Sequence, residues 1–93
     1  MTDAEIAAKE QIDLTVVVPV YNEQDVMPLL VERLQGAATE LPDTTEFILV
    51  NDGSRDGTGE LIRKACENDP RFTGIHLSRN FGHQQAVSAG LRY

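Results

Sequence analysis

Apolar residues in this chain follow two rhythms. Leu14 to Val18 is a continuous apolar and β-branched run, Phe47 to Val50 is a second, and Thr73 to Leu77 is a third, weaker one. Short uninterrupted runs bounded by polar loops predict strands covered on both faces. Between them the period lengthens. From Asp25 to about Leu41, apolar residues fall at Val26, Leu29, Leu30, Leu34, Ala37 and Leu41, the spacing of an amphipathic helix. Pro28 lies in its first turn, where a missing N–H costs little. After "NDGSRDGTG" a second helix is predicted, with Asp56 or Thr58 as its cap and Leu61, Ile62, Ala65 and Cys66 on its buried face. Gln85 to Tyr93 reads as a third helix. Residues 1–12 read as a polar lead-in and residues 13–93 as one domain.

The resulting order, β-α-β-α-β-α, predicts an α/β fold with a parallel sheet between helices. Right-handed crossovers set the spatial strand order 3-2-1, half of a three-layer Rossmann-like architecture. Ligands of such sheets bind at the carboxyl ends of the strands. "PVYNEQD", "VNDGSRDG" and "LSRNFGHQQ" all arrive at that edge, so the polar residues collect where the architecture puts a site. In this order strand one also has an open edge, which invites pairing with a second copy of the chain.

Composition then removes whole classes of partner. A formal charge of −7, with no basic stripe, argues against nucleic acid. No stretch approaches the roughly 18 apolar residues of a membrane span, and "MTDAEIAAKEQ" has no signal-peptide pattern; a soluble, cytoplasmic chain is expected. The single cysteine, Cys66, excludes an internal disulfide and reads as a small buried hydrophobe.

A dinucleotide-binding loop needs Gly-x-Gly-x-x-Gly after the first strand, and "PVYNEQ" contains no glycine. No Gly-Lys-Ser/Thr of a P-loop occurs either, and Glu23 and Asp25 would repel a phosphate. Tyr21 offers an aromatic face, and Asp52 an acceptor-only carboxylate that matches an imide or amide N–H of a nucleobase. The loops therefore suit a base and ribose, and a diphosphate attached to them would need a divalent cation held by further carboxylates. Asp3-x-Glu5 and Glu67-x-Asp69 have the spacing of a metal pair but lie away from the edge. Asn51-Asp52-Gly53 also fits an Asx turn, but Asp56 can do the capping and leave Asp52 for a ligand. Arg55 reads as solvated, His76 as structural, and Phe81 as an anchor of its loop in the core. Gly82 reads as a special backbone position. His83 divides evenly between a ligand contact and a helix N-terminal role.

"VVVPVYNEQDVMPLL", "FILVNDGSRDGT" and "LSRNFGHQQAVSAGL", in this order, resemble the start of an inverting family-2 glycosyltransferase of the GT-A fold. "RNFGHQQAVSAG" is most similar to the polyprenyl-phosphate branch, which includes bactoprenol and dolichol-phosphate enzymes. The resemblance implies that Pro19, Tyr21 and Glu23 line a nucleotide pocket, that Asp52 bonds the base, and that Gly53 and Ser54 shape its turn. It places Arg79 near the base and phosphates, with Asn80, Gly82 and His83 in the same loop. The implied activity is transfer of a sugar from a UDP- or GDP-linked donor to a polyprenyl phosphate on the cytoplasmic face of a membrane. Mg or Mn is implied for the full-length enzyme, and its motif is expected beyond Tyr93. These 93 residues are accordingly expected to hold no catalytic residue and to be inactive alone. The alternatives are a truncated domain that self-associates through the edge of strand one and, less favoured, a dinucleotide-binding domain.

Overall fold

The computed structural model describes residues 12–82 and Gly90. Residues 1–11 of the lead-in, His83, and the third helix except Gly90 lie outside the described residues. Three strands form one sheet: β1 (Leu14–Val20), β2 (Thr45–Asn51) and β3 (Phe72–His76). They lie in the order β1-β2-β3, and both pairings are parallel, with Val18 opposite Leu49 and Leu49 opposite Gly74. The predicted α/β class, strand direction and order are all present. Helix α1 (Met27–Ala37), extended by a 3-10 turn at Ala38–Glu40, links β1 to β2, and α2 (Thr58–Asn68) links β2 to β3.

A chain that steps twice in the same direction across a sheet puts both crossovers on one face. That face carries the main core, where Val20, Phe47, Leu49 and Phe72 meet Met27 of α1 and Ile62 of α2. Phe47 and Phe72 stack with ring centroids 5.1 Å apart. The opposite face buries Ile48 and Val50 with Val17, Ile75 and Leu77 around them. Gly90 is buried there, so close that an added Cβ would lie 2.5 Å from the Val17 side chain.

The fold departs from the hydrophobic pattern in two places. An apolar run predicts that β1 is covered on both faces, yet it is buried only at Val20 and is otherwise half-buried or exposed. Nothing among the described residues pairs with its outer edge. Pro19 fits there for a geometric reason. The Val20 carbonyl points to β2, accepting the Asp52 N–H at 2.8 Å, so the neighbouring Pro19 nitrogen points outward, where no ladder donor is needed. Helix α1 is also shorter than its periodicity predicts, and it turns Met27, Leu30, Val31 and Leu34 to the core. Val26 and Leu29, which the periodicity assigns to that face, are 47% and 49% exposed. They belong to an adjacent stripe of the same segment, beside the outer edge of β1.

Candidate functional site

The three loops meet at the carboxyl ends of the strands because the sheet ladder runs past the strands. Asp52 donates its N–H to Val20 O at 2.8 Å, and Leu77 donates to Asn51 O at 2.9 Å. Each loop therefore leaves the sheet already paired with its neighbour.

The first and second loops are joined by side chains acting on backbone. The Asn22 N–H donates to Ser54 Oγ at 2.9 Å, and the Arg55 N–H returns to Asn22 Oδ1 at 2.9 Å. The Glu23 N–H donates to Thr58 Oγ1 at 2.9 Å, and the Gly57 N–H to Gln24 Oε1 at 2.7 Å. Asp56 accepts from the Gln24 N–H at 3.3 Å and from both the N–H and the hydroxyl of Thr58, at 3.0 and 2.6 Å. The Thr58 hydroxyl holds the Asp56 carboxyl below its ordinary value. The N-cap of α2 is Gly57, which makes no side-chain cap bond, so neither Asp56 nor Thr58 is the cap expected; Asp56 accepts the first helical N–H, that of Thr58, from the position before the cap. Asn22 carries a φ of +50°, the left-handed region that asparagine tolerates better than most residues.

The second and third loops are joined at Asp52 and Gly53. Asp52 is fully buried, and its Oδ1 accepts the Phe81 N–H at 2.8 Å. Its Oδ2 is buried with no hydrogen-bond partner among the described residues. Gly53, at φ +72°, lies directly against the third loop: a Cβ there would be 2.2 Å from the Arg79 carbonyl carbon and 2.3 Å from Asn80 N. Asn80 Oδ1 accepts the Gly82 N–H at 2.9 Å, closing a turn that ends with Gly82 at φ +90°.

Two further residues brace the second loop from below. Asn51 Oδ1 accepts the Ser54 N–H at 2.9 Å, which orients the amide so that its Nδ2 faces His76 Nδ1 at 3.1 Å. Nδ1 must then accept, and the ring is neutral with its proton on Nε2. Burial, with a smaller contribution from the Arg63 charge, lowers the His76 pKa in agreement.

The predicted residues therefore divide. Tyr21, Asp52, Gly53, Ser54, Arg79, Asn80 and Gly82 lie in the joined loops, with Tyr21 half-buried and Arg79 exposed. Pro19 and Glu23 line an open groove of about 350 Å³ with Val26, Leu29, Leu30 and Arg33. Asp52 is not left wholly free for a ligand, as its residue type suggests: one of its oxygens is spent on Phe81, and the carboxylate is closed from solvent. Phe81 is not the core anchor expected of it. Its ring is 42% exposed beneath the Arg79 guanidinium, 4.7 Å from the centroid, and its N–H makes the attachment. Sequence reasoning misses the joining roles of Asn22, Gln24 and Thr58. The one signal for them is an asparagine between Tyr21 and Glu23, at a strand exit where a positive φ suits that residue.

Among the described residues, no three His, Cys, Asp or Glu side chains come together in a way that could hold a metal. Asp69, half of the pair discounted on its sequence position, is committed to Arg71, with Nη2–Oδ2 at 2.7 Å and Nε–Oδ1 at 3.0 Å, at the opposite end of the sheet. The described residues do not fit a divalent cation, and none of them is assigned a metal-dependent step. No helix among them is long and apolar enough to cross a membrane.

Comparison with known proteins places this arrangement. The family description Glycosyl transferase family 2 matches residues 15–93. A Bacillus subtilis protein named as the uncharacterized glycosyltransferase YkcC is 43% identical over 82 residues, covering 88% of this chain and 25% of its own length. An undecaprenyl-phosphate 4-deoxy-4-formamido-L-arabinose transferase of Pseudomonas aeruginosa is 44% identical over 81 residues, covering 85% of this chain and 24% of its own. The structure of a Pyrobaculum calidifontis mannosyltransferase in complex with GDP-mannose and Mn2+ superposes with a TM-score of 0.69 at 27% identity, covering 96% of this chain and 30% of that one. The chain spans about a quarter of the length of the curated relatives it matches.

Proposed function

The chain belongs to glycosyltransferase family 2, with the strand order and helices of the GT-A fold, and on that premise we propose that it is the donor-binding part of an inverting sugar transferase. The donor class is a nucleotide-diphosphate sugar, and the acceptor class a polyprenyl phosphate, the acceptor named for the relatives that act on undecaprenyl phosphate. The reaction is one in-line displacement at the anomeric carbon. The residues described here bind and orient the donor and transfer no proton, so the chain alone is inactive.

One observation carries this reading: the buried Asp52 carboxylate, with an oxygen that has no partner among the described residues. A buried polar oxygen left unpaired costs free energy that a donor from a ligand would recover. Uracil and guanine each present a ring N–H to such an acceptor, whereas cytosine presents a lone pair at the same ring edge. Tyr21 contributes an aromatic face, Glu23 and Pro19 border the entrance on the β1 side, and Arg79 supplies the cation nearest the third loop. Entry of the base requires the Arg79–Gly82 segment to yield, since Asp52 is closed beneath it. Calorimetric titration with uridine, guanosine and cytidine diphosphates tests this. Uridine or guanosine diphosphate binds, cytidine diphosphate does not, and Asp52→Ala weakens binding by about tenfold or more, the worth of one hydrogen bond to a charged group. Equal binding of the cytidine nucleotide, or of all ligands by Asp52→Ala, refutes it.

A second reading, self-association, draws on the exposed Leu14, Val26 and Leu29 beside the outer edge of β1. Light scattering across a concentration series, with Leu29→Lys as the disrupting variant, decides whether that edge pairs with another copy.

A further inference from the structure

Asn22 is bound twice by the second loop, through two consecutive residues. Its N–H is held by Ser54 Oγ and its Oδ1 holds the Arg55 N–H, both at 2.9 Å, while its backbone sits at φ +50°. We propose that Asn22 is a positioning residue for the nucleotide site: this two-point clasp fixes the directions in which its neighbours Tyr21 and Glu23 leave the chain. The inference rests on the nucleotide-binding reading above and deepens it.

The location of these bonds separates positioning from folding. Asn22 and Arg55 are exposed and Ser54 is half-buried, and both bonds lie at the solvent-exposed side of the loops, where water would replace either at little loss to the folded state. The left-handed backbone that asparagine tolerates is held in place here from two sides, by Ser54 and by Arg55. That support extends inward. Ser54 is itself held by Asn51 Oδ1, and Asn51 by His76, so one line of bonds runs from the end of β3 through the end of β2 to the first loop. Asp52, one residue beyond Asn51, belongs to the same rigid strand end. The clasp therefore ties the orientation of Tyr21 to the position of the Asp52 carboxylate, the relation on which recognition of a base between them depends. A loop held in its binding conformation avoids the ordering cost that otherwise weakens affinity.

The experiment measures three quantities for each protein: the Kd for uridine and guanosine diphosphates, the melting temperature, and exchange of the Arg55 amide without ligand. Asn22→Ala and Ser54→Ala raise Kd by about tenfold, and Asn22→Ala also removes protection of the Arg55 amide. Ser54→Thr, which keeps the hydroxyl, restores Kd to near that of the parent chain. Gln35→Ala removes a hydrogen bond to Asp69 at the far end of the sheet and serves as the stability control. It lowers the melting temperature at least as much as Asn22→Ala and leaves Kd unchanged. If Asn22→Ala loses Arg55 protection but binds like the parent, the clasp does not position the site and the inference is overturned. A Kd that rises equally in Gln35→Ala overturns it as well. If the parent chain binds neither nucleotide, the nucleotide reading itself fails and this inference falls with it.

Discussion

Replacing Gly53 by alanine tests the junction of the second and third loops at its narrowest point. At φ +72° an alanine pays the left-handed penalty of about 1–2 kcal/mol. Its Cβ would also lie 2.2 Å from the Arg79 carbonyl carbon and 2.3 Å from Asn80 N. Both are backbone atoms, so no side-chain rotation relieves the overlap and the Arg79–Gly82 segment has to move. Movement stretches the 2.8 Å bond from the Phe81 N–H to Asp52 Oδ1. A hydrogen bond to a charged group is worth about 1.5–3 kcal/mol, and its loss would leave a buried carboxylate with neither oxygen paired among the described residues. The combined cost, about 2.5–5 kcal/mol, is a large share of the roughly 5–15 kcal/mol typical of a domain. Urea unfolding followed by circular dichroism measures it, with two internal controls. Gly82→Ala, at φ +90° with nothing within 4 Å among the described residues, carries the backbone penalty alone. Gly36→Ala, in α1 and with equally open surroundings, stabilises by about 0.5–1 kcal/mol through helix propensity. A Gly53→Ala loss no larger than that of Gly82→Ala would refute the reasoning, because the third loop would then not be locked against the second.

Two charge-dependent behaviours follow from the same geometry. The hydrogen bonds from Arg71 hold the Asp69 carboxyl down from 3.8 to about 2. A depressed carboxylate stabilises the fold above its unfolded value, so this contribution is complete above about pH 4 and is lost as pH falls toward 2. With Arg71 38% exposed the effect is discounted to about 1 kcal/mol, read as a smaller acid loss of stability in Asp69→Asn than in the parent. His76 titrates by NMR below 6.5, because burial and, secondarily, Arg63 disfavour its charged form. Its neutral ring accepts from Asn51, so the unfolded chain binds the proton more readily and stability falls as pH drops through 6.5. Arg63→Ala shifts the midpoint upward, and a parent midpoint above 6.5 contradicts the reasoning.

The strands are legible in the sequence because a short apolar run between turn formers has one economical fate in an alternating chain. Their order follows from crossover handedness. What the sequence conceals is relational. An apolar run does not say whether both of its faces find cover, and β1, at the edge of the described sheet, is only partly covered. Helix α1 and its lead-in carry apolar residues on two adjacent stripes, and periodicity alone ranks Val26 and Leu29 with the wrong one. The loops are recognisable as a site from position and residue type, yet the assignment of each polar atom is not. Asp56 and Thr58 read as candidate caps and Ser54 as part of a turn, whereas in the fold Ser54 and Thr58 accept backbone N–H groups of the first loop and Asp56 that of Thr58 at the start of α2. Phe81 illustrates the same limit: its residue type signals a buried ring, whereas its N–H makes the attachment and the ring is exposed under Arg79.

The claim that the three joined loops receive a nucleobase is tested most directly by mapping amide chemical shifts of this chain during titration with uridine and guanosine diphosphates. Saturable shifts centred on Tyr21, Asp52 and Phe81, lost in Asp52→Ala while Asp69 and Arg71 stay unmoved, are the predicted result. Shifts centred on the Asp69–Phe72 end of the sheet, or none with either nucleotide, would contradict it.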